Sequence, residues 1–222
     1  FDEIRLEFAR DAKTLFEAFK AGQIDVRAED DPGRWAEGYR IPPVDDGRIV
    51  RRELDVRLPA ALNAYVFNSR KPMFADPRVR QALILLFDAE WLNRSLYNGL
   101  YKRTQSLFER SELSSFGTPA SDAEISLLAR FAGAVRPDIL DGTARLPVGD
   151  GTGNNRANLE AAFKLLTAAG YTLRGRQLIN AKGEPLTIDF LAQSRAQERL
   201  MLSFSRILER VGIAVKIRQV DS

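Results

Sequence analysis

The side chains that could carry chemistry here are paired carboxylates, a glycine-rich run and a few aromatics set in long connections. Asp30 stands beside Asp31, Asp45 beside Asp46, and Glu109 near Glu112. A two-carboxylate glycoside hydrolase needs an acid and a base or nucleophile facing each other across a cleft. Neighbouring carboxylates in polar loops do not supply that separation by themselves, and they read as solvated groups or helix caps. The run Val148-Gly149-Asp150-Gly151-Thr152-Gly153-Asn154 precedes a helical pattern, where backbone amides could cradle a phosphate. A nucleotide loop would follow a firm strand and continue into Gly-Lys-Ser or Gly-Lys-Thr, which this run does not, so it reads as a surface loop. Trp35 and Tyr39 lie among Gly33, Gly38, Pro42 and Pro43. Flat aromatic faces in such a loop either anchor it to the core or take up an apolar or peptide group at small entropic cost.

The residue types that are missing narrow the chemistry further. The sequence contains no histidine and no cysteine. That removes the usual general base near neutral pH, every Ser-His-Asp arrangement, thiolate nucleophiles, disulfides and the commonest metal ligands. No Gly-x-Ser-x-Gly elbow is present either. The expectation is a protein without catalytic residues, cofactor or metal site. Lys and Arg number 33 against 30 Asp and Glu, a formal charge of +3, and they are spread along the chain instead of clustered. Nucleic acid is therefore not the expected partner. The longest apolar stretch, Ala82 to Phe87, is far below the roughly 18 residues of a membrane span.

Hydrophobic periodicity outlines the elements that must position these residues. Ile4, Leu6 and Phe8 alternate with charged neighbours, as in a half-buried strand, before Leu15, Phe16 and Phe19 take up helical spacing. Gly22 stops that helix, and Ile24 to Ala28 alternates again, which predicts strand, helix and strand. The far end repeats the pattern. Leu186, Ile188 and Phe190 alternate, Leu200, Phe204, Ile207, Leu208 and Val211 stripe a helix, and Ile213, Val215 and Ile217 alternate after Gly212. Asp76-Pro77 predicts an N-cap followed by the position that best tolerates proline, with Val79, Leu83, Leu86 and Phe87 as the buried stripe. Asn155 or a neighbour caps a helix striped by Leu159, Ala162, Phe163 and Leu166, and Gly170-Tyr171 reads as its Schellman stop. A shorter helix spans Asp122 to Phe131. Two long irregular connections, Glu29 to Gly47 and Ser106 to Ala120, are the kind of loop that serves function or packs against another part of a molecule. Strands at both ends with helices between them imply an α/β fold with a mixed sheet flanked by helices, a single α/β lobe over residues 1–222. The absence of a basic-then-apolar leader before Phe1 and the stop at Ser222 after a strand pattern suggest an excised piece of a longer chain.

The run YVFNSRKPMFADPRVRQALILLFDAEWLN, Tyr65 to Asn93, resembles a signature of the family 5 solute-binding proteins, which serve peptide and nickel ABC importers. Its parts are an apolar strand ending in Asn-Ser, a Pro-x-Phe turn, Asp-x-Arg-Val-Arg-Gln-Ala opening a helix, and a second helix after an Asp. "EAFKAGQID", "ANLEAAFKLLTAAGY" and "GEPLTIDFL" are similar to further elements of the family. "RWAEGY" and "NGLYKRTQSLFERSELSSFGTP" are most similar to its YejA-like branch, associated with oligopeptides and peptide antibiotics of the microcin C type. Met73 departs from the proline that the family commonly repeats.

The resemblance implies one lobe of a two-lobed periplasmic binding protein of type II, cluster C-like, whose export signal and partner lobe lie outside this sequence. It implies a monomeric carrier in the periplasm, closing by hinge motion on a peptide or peptide-like ligand and delivering it to ABC transporter permease subunits. For this lobe's share of the site, the expectation is Trp35 and Tyr39 for stacking, Asn68 for backbone hydrogen bonding and Arg103 for a carboxylate or phosphate. Asp76, Pro77, Arg78 and Arg80 are assigned to folding. The alternatives are a carboxylate-based hydrolase and a basic interaction module for an acidic partner.

Overall fold

The carboxylate of Asp11 starts the first helix, accepting hydrogen bonds from the Thr14 amide at 2.8 Å and the Thr14 hydroxyl at 2.9 Å. In the computed structural model, which describes residues 2–9, 11–54, 58–59, 62–131 and 133–220, this helix is α1, Ala12–Lys20. It belongs to the first of two compact units, Phe1–Asp55, the second being Val56–Ser222. Gly22 ends α1, its amide bonding Phe19 O while the Gln23 amide reaches Ala18 O. The strands expected on either side are not formed: residues 2–9 and 24–28 carry no strand, and Ile4, Leu6, Phe8 and Val26 are exposed. Alternation makes a strand only where a neighbouring strand takes up its backbone groups and one face is buried. The connection from Glu29 to Gly47 holds a π-helical turn at Arg34–Gly38 and a short helix α2, Pro42–Asp45, with proline at its start.

The second unit opens its helical part with α3, Pro72–Ala75, and α4, Pro77–Leu86. Asp76 caps α4 by accepting from the Arg78 amide at 2.8 Å, and Val79, Ala82, Leu83 and Leu86 form its buried stripe. Next is α5, Ala89–Tyr97, capped by Asp88 and closed by Asn98 in the left-handed conformation. Ser121 and Glu124 form a capping box at α6, Asp122–Leu128, which runs into a 3₁₀ turn, Ala129–Phe131. A short α7, Pro137–Leu140, precedes α8, Arg156–Ala168, whose cap is Asn155. Gly170 bonds Thr167 O and Tyr171 bonds Leu166 O, the two bonds of a Schellman stop, and Tyr171 is buried as such stops favour. Phe163, expected in the stripe of α8, is instead more than a third exposed, with Ala162 and Leu166 taking the core.

Beyond α8 the chain makes an antiparallel hairpin from β1, Thr172–Arg174, and β2, Gln177–Ile179. It then forms a parallel crossover of β3, Thr187–Ala192, α9, Arg195–Arg210, and β4, Ala214–Gln219. Gly212 turns α9 into β4 with φ +88° and bonds to Glu209 O, while the Ile213 amide reaches Leu208 O. The class is α/β with helices flanking the sheets, but parallel and antiparallel pairings fall in two separate two-stranded sheets. The expected apolar strand at Tyr65–Asn68 keeps its alternation, with Tyr65 and Phe67 against the core and Val66 exposed, yet it joins no ladder. The core is filled by Leu83 and Leu86 of α4, Leu166 of α8, Phe204, Ile207 and Leu208 of α9, and Ile188 and Phe190 of β3.

Candidate functional site

Trp35 and Tyr39 sit together in the first unit, where they do different work. Tyr39 is buried: Phe16, Phe19 and Trp35 meet its ring edge-on at centroid distances of 5.1, 6.2 and 5.9 Å. Its hydroxyl donates to Glu29 at 3.0 Å and accepts from Arg27 at 2.8 Å. Burial, reinforced by Glu29, pushes the phenol's pKa up. Glu29 also pairs with Arg27, the two side chains being only 2% and 4% exposed. Burial pushes the Glu29 carboxyl up, but the Asp31 amide, Arg27 and the Tyr39 hydroxyl outweigh it and hold the pKa below the ordinary carboxylate value. Trp35 is half-buried above this network. Its indole N–H donates to Glu53 at 3.2 Å, and the guanidinium of Arg51 lies 4.1 Å from the ring centroid while donating to Trp35 O at 2.6 Å. The Nε atoms of Arg27 and Arg51 are buried without a hydrogen-bond partner among the described residues.

Asn68 and Arg103 lie in the second unit. Asn68 is exposed in a turn, where its carboxamide oxygen accepts from the Arg70 amide at 3.2 Å and its carbonyl from Lys71 at 2.9 Å. The NH₂ of Asn68 has no partner among the described residues. Arg103 is half-buried: it donates to Pro147 O at 2.7 Å and stands 5.4 Å from the centroid of Phe87. Burial lowers its pKa and the negative charge of Glu90 pulls it back up, and a guanidinium stays charged regardless. Phe87 leads to a residue that sequence reasoning did not single out. Tyr65 packs against Phe87, Phe190 and Phe204, and its hydroxyl is buried with no partner among the described residues. Burial and the nearby Tyr97 drive that phenol's pKa well up. Only its place in the alternating run Tyr65-Val66-Phe67 signals that Tyr65 points inward.

The glycine-rich run is committed to its own chain. Asp88 accepts from the Trp91 amide at 3.0 Å and, with its other oxygen, from Gly153 at 2.9 Å, while Glu90 accepts from Gly149 at 2.8 Å. Arg94 donates to Gly151 O, and Arg210 donates to Gly153 O at 2.6 Å. The Gly149 and Gly153 amides, which could have helped to cradle a phosphate, donate to the carboxylates of Glu90 and Asp88. The glycines are there for space. A Cβ on Gly149 would strike Asp88, one on Gly151 would strike Arg94, and one on Gly153 would come within 2.7 Å of the Trp91 ring. One carboxylate of each pair singled out from the sequence is engaged locally. Asp31 accepts from the Arg34 amide, Asp46 binds Arg48 through both oxygens, and Glu109 accepts from the Gln105 amide. Among the described residues no three acidic side chains gather where a metal ion could be held.

The family model described as bacterial extracellular solute-binding proteins, family 5 Middle, matches residues 1–222. A binding protein of Brucella suis is 44% identical over 221 residues, covering 100% of this chain and 36% of that protein. The peptidoglycan-binding protein YepA of Agrobacterium fabrum is 38% identical over 228 residues, covering 100% of this chain and 37% of YepA. This chain therefore spans little more than a third of the length of such relatives. Among solved structures, NikA from Brucella suis, in complex with Fe(III)-EDTA, superposes with a TM-score of 0.59 at 21% identity, over 96% of this chain and 36% of NikA. The oligopeptide-binding protein AppA from Bacillus subtilis, in complex with a nonapeptide, gives 0.56 at 16% identity, over 95% of this chain and 34% of AppA. At such identities the two structures speak for the fold alone.

Proposed function

This chain belongs to family 5 of the bacterial extracellular solute-binding proteins, and from that premise we propose that it is part of the substrate-binding component of an ABC importer. Its ligand class is oligopeptides or peptide-like compounds, captured outside the cytoplasm, and it carries no catalysis. The observation that carries this reading is the family match over every residue, joined to binding proteins as relatives. Capture by hinge closure follows if the ligand touches both lobes, because only contacts made in the closed state can favour closure. Residues 1–222 would form the α/β part of one lobe, with the partner lobe supplied by the remaining length that the relatives possess. Within this part, Trp35 offers an aromatic face propped by Tyr39, Asn68 offers its free NH₂ to a peptide carbonyl, and Arg103 offers its remaining N–H groups to a carboxylate. The partners would be permease subunits in the membrane, with the carrier itself monomeric in the periplasm and indifferent to nucleic acid.

The test is to purify the polypeptide at the length of its relatives and identify copurifying small molecules by mass spectrometry. Peptides or peptidoglycan fragments released unchanged on denaturation, and rebound with a calorimetric signal, are expected. Turnover of a peptide, ester or glycoside at an enzyme-like rate, lost on changing one acidic residue, would replace this reading with a hydrolase.

A further inference from the structure

We propose that Arg51 is the receptor for a carboxylate group of the ligand, a contact that rests on the binding-protein reading and adds a charge-specific site to it. In the first unit, Arg5, Arg27, Arg34, Arg40 and Arg48 each hold a carboxylate within 3.6 Å. Arg52 is exposed, where water compensates its charge. Arg51 differs from all of these, being half-buried with no ion pair among the described residues. Its guanidinium lies 4.1 Å from the centroid of the Trp35 ring and 5.6 Å from that of Tyr39, anchored by one bond from Nη2 to Trp35 O at 2.6 Å. Its Nε is buried without an acceptor among the described residues, and Nη1 donates to none of them. Glu53, two residues on, gives its carboxylate to the Trp35 indole at 3.2 Å instead of to Arg51. A partly desolvated charge without a counter-ion costs free energy, and a ligand that brings the opposite charge recovers it. Stacking on Trp35 also fixes the head group beforehand, so little side-chain entropy is left to lose on binding. One unpaired positive charge matches one carboxylate, whose two oxygens fit the planar guanidinium fork. A phosphate monoester, at about −1.5 to −2 near neutral pH, would meet the carboxylates of Glu29 and Glu53 around the same two rings with too little positive charge. Arg27, on the hydroxyl side of Tyr39, cannot serve, because Glu29 and that hydroxyl already hold it and its side chain is only 4% exposed.

The test uses the polypeptide at full relative length and follows the Arg51 Nε–H resonance by NMR, identified by its loss in Arg51→Lys. Sodium acetate, exchanged for sodium chloride at constant ionic strength, should shift that resonance along a saturating curve in the millimolar range, and inorganic phosphate should not saturate it there. A second arm measures, by calorimetry, a peptide pool and the same pool with every carboxyl converted to an amide. Arg51→Gln should weaken binding of the acid pool by a factor of about 10–100 and leave the amide pool unchanged. Arg51→Lys keeps the charge and loses the fork, so it should fall between the two. A resonance that acetate does not move, as when a carboxylate elsewhere in the polypeptide already holds Arg51, would overturn the proposal. Equal weakening of the acid and amide pools, the mark of a purely structural role, would overturn it too. Failure of the unaltered protein to bind either pool would count against the carrier reading, and the acetate titration would then decide the role of Arg51 by itself.

Discussion

Asp88 concentrates two tasks in one carboxylate that is only 4% exposed: it caps α5 and it holds the Gly153 amide. Replacement by alanine removes a cap worth about 0.5–2 kcal/mol and strands a buried amide at about 1–3 kcal/mol, so a loss of about 2–4 kcal/mol is expected in urea unfolding. Asp76 does one of these tasks. Asp76→Ala should cost about 0.5–2 kcal/mol while ligand binding by the full-length protein is kept; an unchanged melting temperature with lost binding would move Asp76 into the site. Glu29 is the residue whose charge state should register in solution. Its pKa is held down in the folded unit, so its contribution is fully present above the unfolded carboxylate range near 4 and is lost as pH falls through the lower folded value. Acid titration followed by Trp35 emission, in a chain with Trp91→Phe, should show a transition below about pH 4 that Glu29→Gln abolishes.

At the scale of elements, what the sequence makes legible is whatever is decided locally. The caps at Asp76 and Asn155, the stops at Gly22, Gly170 and Gly212, and the stripe of α9 all depend on residues within one turn of each other, and each forms where the spacing predicts it. The strands at 2–9, 24–28 and 65–68 were not decided locally. Their alternation is real, but a ladder needs a second strand at the right register, which no single segment can announce. The crossover from Thr187 to Gln219 succeeds because it contains both partners. The candidate site divides in the same way: aromatics and arginines could be nominated from their surroundings, whereas the clamp of Asp88, Glu90, Arg94 and Arg210 on the loop 149–153 joins residues far apart in the chain. That clamp makes a sharp expectation. Gly153→Ala puts a methyl group against Trp91 at a residue with φ +68°, so a loss of about 1–3 kcal/mol and altered Trp91 fluorescence should accompany it.

For the whole molecule the question is whether this length of chain can fold without being able to hold the ligand proposed for it. The second unit has a core of its own, with Leu86, Leu166, Leu178 and Leu208 fully buried, so residues 1–222 are expected to yield a monomer with a cooperative unfolding transition. Binding is another matter. A peptide lying on one open face buries about half of what a closed cleft would cover, while most of the translational and rotational freedom is still lost. The surplus that appears as affinity should therefore shrink far more than the contact area does. Titrating residues 1–222 and the polypeptide at full relative length with one peptide pool, using the emission of Trp35 and Trp91, compares the two directly. The shorter chain is expected to bind at least about 100-fold more weakly, a difference of about 2.7 kcal/mol. Equal affinity in both would place the whole site within these 222 residues and remove the reason for a second lobe to close over it.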